Sequence, residues 1–135
     1  QKVELACIID DDKIYVNLVR KIIEIKKLSK NLIIFKNGRE ALEYFQKNLS
    51  SLSEDSLPEI IFLDLNMPVM DGWEFLNEFI KIKNELSKKI QLYVVSSSID
   101  PRDLERAKSF NMVTDYLIKP IELKKFEKIF TRNAA

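Results

Sequence analysis

Acids, hydroxyls and one amine recur in this sequence just beyond short apolar runs. Asp10, Asp11 and Asp12 follow LACII at residues 5–9, Asp64 follows IIFL at 60–63, Ser96, Ser97 and Ser98 follow LYVV at 92–95, and Lys119 follows VTDYLI at 113–118. Carboxylates held within a few ångströms of one another raise each other's pKa unless a cation compensates. Lys119 supplies one positive charge. A set of hard oxygen donors without His or Cys suits Mg²⁺, which keeps several waters and takes one or two carboxylates together with phosphate oxygens. Mg²⁺ beside a carboxylate, an amine and a hydroxyl is equipment for phosphoryl transfer, with a carboxylate as the attacking group. Asp64 is the best candidate nucleophile, because it ends the most apolar run, and the Asn66-Met67-Pro68 turn can fold a backbone carbonyl back toward the metal.

These residues need elements to position them. After the first apolar run, Ile14, Leu18, Ile22 and Ile25 recur at helical spacing. LIIF at 32–35 reads as a second strand, broken by Asn37-Gly38 before Ala41, Leu42, Phe45 and Leu49 mark a helix face. A polar stretch at 50–58 reads as a loop too short to be a domain linker. Phe75, Phe79, Ile82 and Leu86 predict a third helix, and Asp100-Pro101-Arg102-Asp103 starts a fourth, with an Asp to cap free amides and Pro pre-set for the first helical position. Leu104, Ala107 and Phe110 continue it. Lys119-Pro120 cuts off the fifth run, and Leu123, Phe126, Ile129 and Phe130 outline a last helix. Five strands thus alternate with five helices. Strands apolar without alternation are expected where both faces of a parallel sheet are covered, the α/β sandwich. Ligands of such sheets sit at the carboxyl ends of the strands, near the point where strand order reverses, and that edge is where the acids, serines and Lys119 fall.

Length and composition bound the function. At 135 residues the chain matches one domain with one core. Lys plus Arg is 22 and Asp plus Glu 21, so the net charge of +1 gives no electrostatic case for nucleic acid or an anionic membrane as main partner. No apolar run approaches the ~20 residues needed to cross a bilayer. There is no histidine, which removes the commonest general base and the commonest neutral transition-metal ligand. Cys7 lies within an apolar run, where a cysteine acts as a small buried hydrophobe, and the expected setting is reducing and cytoplasmic.

The acid pair Asp10-Asp11, Asp64 within IIFLDLNMPVMDGWEF, the hydroxyl Ser96, Tyr116 and Lys119-Pro120 occur in order, each in or beyond a strand. With these pieces the chain resembles a response-regulator receiver domain of two-component signalling, over essentially its whole length. The resemblance implies a flavodoxin-like (βα)5 sandwich with strand order 2-1-3-4-5, as one receiver domain over residues 1–135 with no output domain. It also implies that Asp64 is the phosphoacceptor, taking its phosphoryl group from a histidine of a sensor kinase or histidine phosphotransfer protein. Mg²⁺ would be bound by Asp10, Asp11, Asp64 and the backbone carbonyl of Asn66. Ser96 and Lys119 would hold phosphoryl oxygens, Ser96 and Tyr116 would form the switch, and Asn66 and Ser98 would tune the acyl phosphate's lifetime. The Lys119-Pro120 bond is a candidate cis peptide. Readout would pass through the fourth helix, fifth strand and fifth helix to a protein partner, with homodimerisation on phosphorylation as one form.

Other readings compete residue by residue. Asp12 reads as a helix cap rather than a third ligand. Trp73 reads as structural, and Met67 and Met70 as packing residues. A relay intermediate that passes its phosphate to a second histidine fits the same residues. A haloacid-dehalogenase-like phosphatase needs an acid two positions beyond the nucleophile, where this chain has Asn66, and a flavin carrier needs a hydroxyl- and Gly-rich phosphate loop where this chain has three acids.

Overall fold

The computed structural model describes residues 3–49 and 56–133. Strands β1 (Val3–Ile9), β2 (Ser29–Phe35), β3 (Ile60–Asp64), β4 (Gln91–Ser96) and β5 (Val113–Ile118) form one sheet in the order β2-β1-β3-β4-β5. Every pairing is parallel. Helices α1 (Lys13–Ile25), α2 (Gly38–Lys47), α3 (Gly72–Phe79) and α4 (Pro101–Lys108) provide the four crossovers, and α5 (Leu123–Arg132) follows β5. This is the flavodoxin-like sandwich and strand order that the resemblance implies. Most of the polar stretch at 50–58 lies outside the described residues.

Side-chain alternation along the strands divides the core in two. Cys7, Ile9, Ile61, Leu63, Leu92 and Val94 face α2, α3 and α4, where Phe45, Phe75 and Phe79 pack edge to face and stacked. Ala6, Ile8, Ile60, Phe62, Tyr93 and Val95 face α1 and α5, and Phe62 meets the rings of Phe126 and Phe130. All five residues of β3 are buried because it runs through the middle of the sheet with both faces covered. Each buried large side chain contributes about 1.5–3 kcal/mol, so this double core dominates stability. Cys7 is fully buried, and burial pushes its thiol pKa up, which leaves it inert.

Several expectations require correction. In α1 the buried residues are Val16, Val19 and Ile23, whereas Ile14 is 85% exposed, Leu18 55% and Ile25 77%. The helix carries apolar residues at helical spacing on two opposite sides, and periodicity accepts both; only the sheet decides between them. Strand β2 begins at Ser29 rather than at Leu32, because an edge strand keeps polar residues that a buried strand excludes. Helix α3 stops at Phe79, so Ile82 and Leu86 lie just before and just after a short 3-10 turn while still packing on the core. Leu49 and Phe110 likewise fall just past α2 and α4, and Leu123 is exposed at the start of α5.

Candidate functional site

The carboxyl ends of β1 and β3 lie side by side, with Ile9 opposite Leu63 in the register, so Asp10 and Asp64 emerge next to each other. Asp10 is 4% exposed and Asp64 7%. Asp11 completes the cluster from the surface: one carboxylate oxygen each from Asp10, Asp11 and Asp64 lies within 4.8 Å of the others. Lys119, just past β5, reaches in from the other side. Its Nζ is 2.9 Å from Asp10 Oδ2 and 3.7 Å from Asp64 Oδ1. Its backbone N–H donates to the Ser96 carbonyl at 2.9 Å, which binds the ends of β4 and β5 together. The Lys119-Pro120 peptide is cis, as the sequence suggests.

Burial raises the Asp64 carboxyl from 3.8 to about 6; the charge of Asp10 adds to the rise, and Lys119 and the Leu65 N–H oppose it. Burial works against charge on Lys119, but the hydrogen bond and charge of Asp10, followed by the charges of Asp64 and Asp12, outweigh it and hold its ammonium above the ordinary lysine value. Asp12 caps α1, its Oδ1 accepting from the Tyr15 N–H at 3.1 Å. Among the described residues, buried side-chain polar atoms all have partners.

The serines and Tyr116 form a second group. Ser96 is 1% exposed, and its Oγ accepts from the Ser98 N–H at 3.1 Å. The Ser98 hydroxyl donates to Asp103 in the first turn of α4 at 2.6 Å and accepts from the Asp100 N–H at 3.2 Å. Tyr116 Oη donates to the Ser98 carbonyl at 2.9 Å. The structure therefore brings Asp10, Asp11, Asp64 and Lys119 into one cluster, with Ser96 bonded to its edge. It places Ser98 on the β4–α4 loop, with Tyr116 reaching it from β5, and Asn66 exposed two residues beyond Asp64.

Three positions carry information that the sequence reading missed. Tyr15 lies beneath Lys119, with Nζ 4.4 Å from its ring centroid, a cation–π contact across residues distant in sequence. Val69, exposed in the β3–α3 loop, has φ 69°, a left-handed conformation that costs an L-residue about 1–2 kcal/mol. Gly72 is wedged behind Asp64, and a Cβ built there meets the Asp64 carbonyl oxygen at 2.4 Å and Leu65 Cα at 2.8 Å. The sequence does signal the start of α3 here: Asp71 and Glu74 form a capping box. Gly72→Ala must displace backbone rather than a flexible side chain, so we expect a loss of about 3 kcal/mol, read as a lower urea midpoint at unchanged slope.

The family model for the response regulator receiver domain matches residues 6–131. The chain belongs to the response-regulator receiver family. Among its relatives, the receiver is 31% identical over 124 residues to a probable methanogenesis regulatory protein, FilR2, of Methanothrix harundinacea, covering 92% of this chain and 77% of that one. A two-component response regulator from Cytophaga hutchinsonii superposes with a TM-score of 0.85 at 26% identity over 98% of each chain. The Mn²⁺-bound form of response regulator Rcp1 superposes at 0.72 with 28% identity, covering 96% of this chain and 90% of that one. Family membership sets aside the phosphatase and flavin-carrier readings. No helix among the described residues is long and apolar enough to cross a membrane.

Proposed function

We propose that this receiver accepts a phosphoryl group on Asp64 from a phosphohistidine of a sensor kinase or histidine phosphotransfer protein, and signals to a protein partner by contact. The observation that carries the reading is three carboxylates gathered within 4.8 Å against a single ammonium, a site whose charge is unbalanced until a dication joins it. The donor set is all oxygen and fits Mg²⁺, and the Mn²⁺-bound Rcp1 structure supports a divalent ion in a similar fold. Asp10, Asp11 and Asp64 would hold the ion through carboxylate oxygens and Asn66 through its backbone carbonyl. When bound, such an ion offsets negative charge on the transferring oxygens.

The residues of the chain supply the rest. In the metal-free site burial and the charge of Asp10 hold the Asp64 carboxyl above the ordinary aspartate value, and a cation beside it would favour the ionised form that acts as nucleophile. Its oxygen attacks phosphorus, the P–N bond of the donor breaks, and the bonding electrons stay on the imidazole nitrogen, which takes up a proton. The Lys119 ammonium, already 3.7 Å from Asp64, takes one phosphoryl oxygen and the Ser96 hydroxyl another. Because Ser96 is bonded to Ser98, which is bonded to Asp103 and Tyr116, recruitment of Ser96 favours a different arrangement of the β4–α4 loop. The readout surface is then α4, β5 and α5, open to a downstream protein or to a second copy, with no direct nucleic-acid contact. Asn66 and Ser98 set how readily water reaches the acyl phosphate. Apolar side chains exposed on α1 and the β3–α3 loop, Ile14, Leu18 and Val69, support docking of a protein donor rather than a small one.

The test is direct. With Mg²⁺ and acetyl phosphate, the intact protein should gain the mass of one phosphoryl group, and Asp64→Asn should gain none. A wild type that stays unmodified, or an Asp64→Asn variant that is still labelled, ends this reading.

A further inference from the structure

Three groups surround the Lys119 ammonium. Asp10 Oδ2 lies 2.9 Å from Nζ and Asp64 Oδ1 3.7 Å from it, and Nζ stands over the Tyr15 ring, 4.4 Å from the centroid. Asp10 and Tyr15 reach the ammonium from one short stretch of chain. The Asp12 N–H donates to Asp10 Oδ1 at 2.9 Å, and Asp12 Oδ1 accepts from the Tyr15 N–H at 3.1 Å as the cap of α1. The half-buried Tyr15 ring also packs on the core between the sheet and helices α1 and α5, which fixes where its face lies. Lys119 arrives from the end of β5, and the bond from its backbone N–H to the Ser96 carbonyl secures the root of the side chain but not its tip.

We infer that Tyr15 is a positioning residue for phosphoryl transfer, its ring face keeping the Lys119 ammonium beside Asp64 while the carboxylates are engaged elsewhere. This rests on the Asp64 reading above. Of the three groups around the ammonium, that reading assigns Asp10 and Asp64 to a divalent ion, and Asp64 to the phosphoryl group as well. The ring has neither task, so its hold persists when theirs is shared. An aromatic face attracts a cation through its quadrupole, more strongly where water is partly excluded, and the Lys119 side chain is only 16% exposed. Lysine carries its charge on a flexible four-carbon stem, and a stem that is not already held must be ordered when the phosphoryl oxygens arrive, a cost that falls on the rate. An aliphatic side chain at position 15 supplies packing without the quadrupole, so its effect is a slower reaction.

Wild type, Tyr15→Phe and Tyr15→Leu are incubated with Mg²⁺ and acetyl phosphate, and the rate of adduct formation is followed by intact mass. Tyr15→Leu should react about three- to tenfold more slowly, and Tyr15→Phe, which keeps the ring face, within about twofold of wild type. In a Lys119→Met background the same Tyr15→Leu change should slow the reaction no further, since no ammonium is left to position. A purely structural role would instead lower the urea midpoint and slow the reaction in both backgrounds. The positioning role is overturned, with Asp64 still the acceptor, by any of three results: Tyr15→Leu as fast as wild type, Tyr15→Phe as slow as Tyr15→Leu, or an equal slowing in the Lys119→Met background. No adduct in wild type would overturn the Asp64 reading and the role of Tyr15 with it.

Discussion

Lys119→Met is expected to slow phosphorylation of Asp64 by about 100-fold and to cost the metal-free protein about 3 kcal/mol of stability at neutral pH. Methionine keeps most of the length and apolar stem of lysine, so packing over the Tyr15 ring survives and the change isolates the charge. Asp10 loses its 2.9 Å partner, and Asp64, already raised to about 6, loses the one group whose charge opposes that rise. Two buried carboxylates then face each other and Asp11 with no cation among the described residues to answer them. Removing one partner of a buried pair leaves an uncompensated charge, which is why the expected cost exceeds the net worth of the pair itself. The loss should shrink as pH falls and the carboxylates take up protons, and it should shrink when Mg²⁺ is added, because the ion supplies the missing positive charge. Urea unfolding at several pH values, with and without Mg²⁺, gives the stability, and the rate of adduct formation from acetyl phosphate gives the kinetics. A variant as fast as wild type would remove Lys119 from phosphoryl binding. A stability loss that neither pH nor Mg²⁺ moves would make its role one of packing.

How far the sequence shows this site depends on the distance over which each part is determined. Strand β3 is legible because all five of its residues are buried and an unbroken apolar run admits few other meanings. Asp10, Asp64, Ser96 and Lys119 are legible as strand-end residues, and the rule that ligands collect at the carboxyl edge of a parallel sheet brings them together before any coordinate is known. What the rule cannot give is pairing. That Lys119 bonds Asp10 more closely than Asp64, and stands over Tyr15, follows from strand order and side-chain reach across more than a hundred residues of chain. The same limit explains α1, where Ile14 and Leu18 looked like core. The sequence presents two apolar stripes, and which one faces the sheet is a tertiary decision that falls to Val16, Val19 and Ile23. The exposed stripe is itself informative, since a monomer gains nothing from it. Gly72 illustrates the converse: the Asp-Gly pair is plain in the sequence, but the need for a glycine comes from the carbonyl of Asp64 packed against it. Ser98, two residues beyond Ser96, turns out to be fastened to Asp103, a link that joins the acid cluster's neighbour to α4 and that spacing alone does not suggest.

Asp64→Asn should make the metal-free protein more stable at pH 7 to 8, even though it removes the proposed acceptor. The carboxyl of Asp64 has its pKa raised in the folded protein, from 3.8 to about 6, with burial as the leading cause and the charge of Asp10 next. Between about pH 4 and pH 6 the folded chain therefore binds more protons than the unfolded one, and linkage makes stability fall as pH rises through that window. Above it, the full penalty of an ionised, crowded carboxylate is present. The shift corresponds to at most ~3 kcal/mol, and solvent screening at the mouth of the site reduces this to about 1–2 kcal/mol. Asparagine occupies the same space without the charge, so the variant escapes the penalty. Its advantage should be largest above pH 6, fade as the pH falls and vanish below about pH 4, where wild-type Asp64 is protonated. Saturating Mg²⁺ should reverse the order at neutral pH, because the ion stabilises a site with three carboxylates more than one with two. Unfolding curves for the two proteins across pH 4 to 8 test each step. If the two curves run parallel over the whole range, the Asp64 carboxylate is not under strain. In that case the charge imbalance that points to a cation and a phosphoryl group at this site is already met by Lys119 alone.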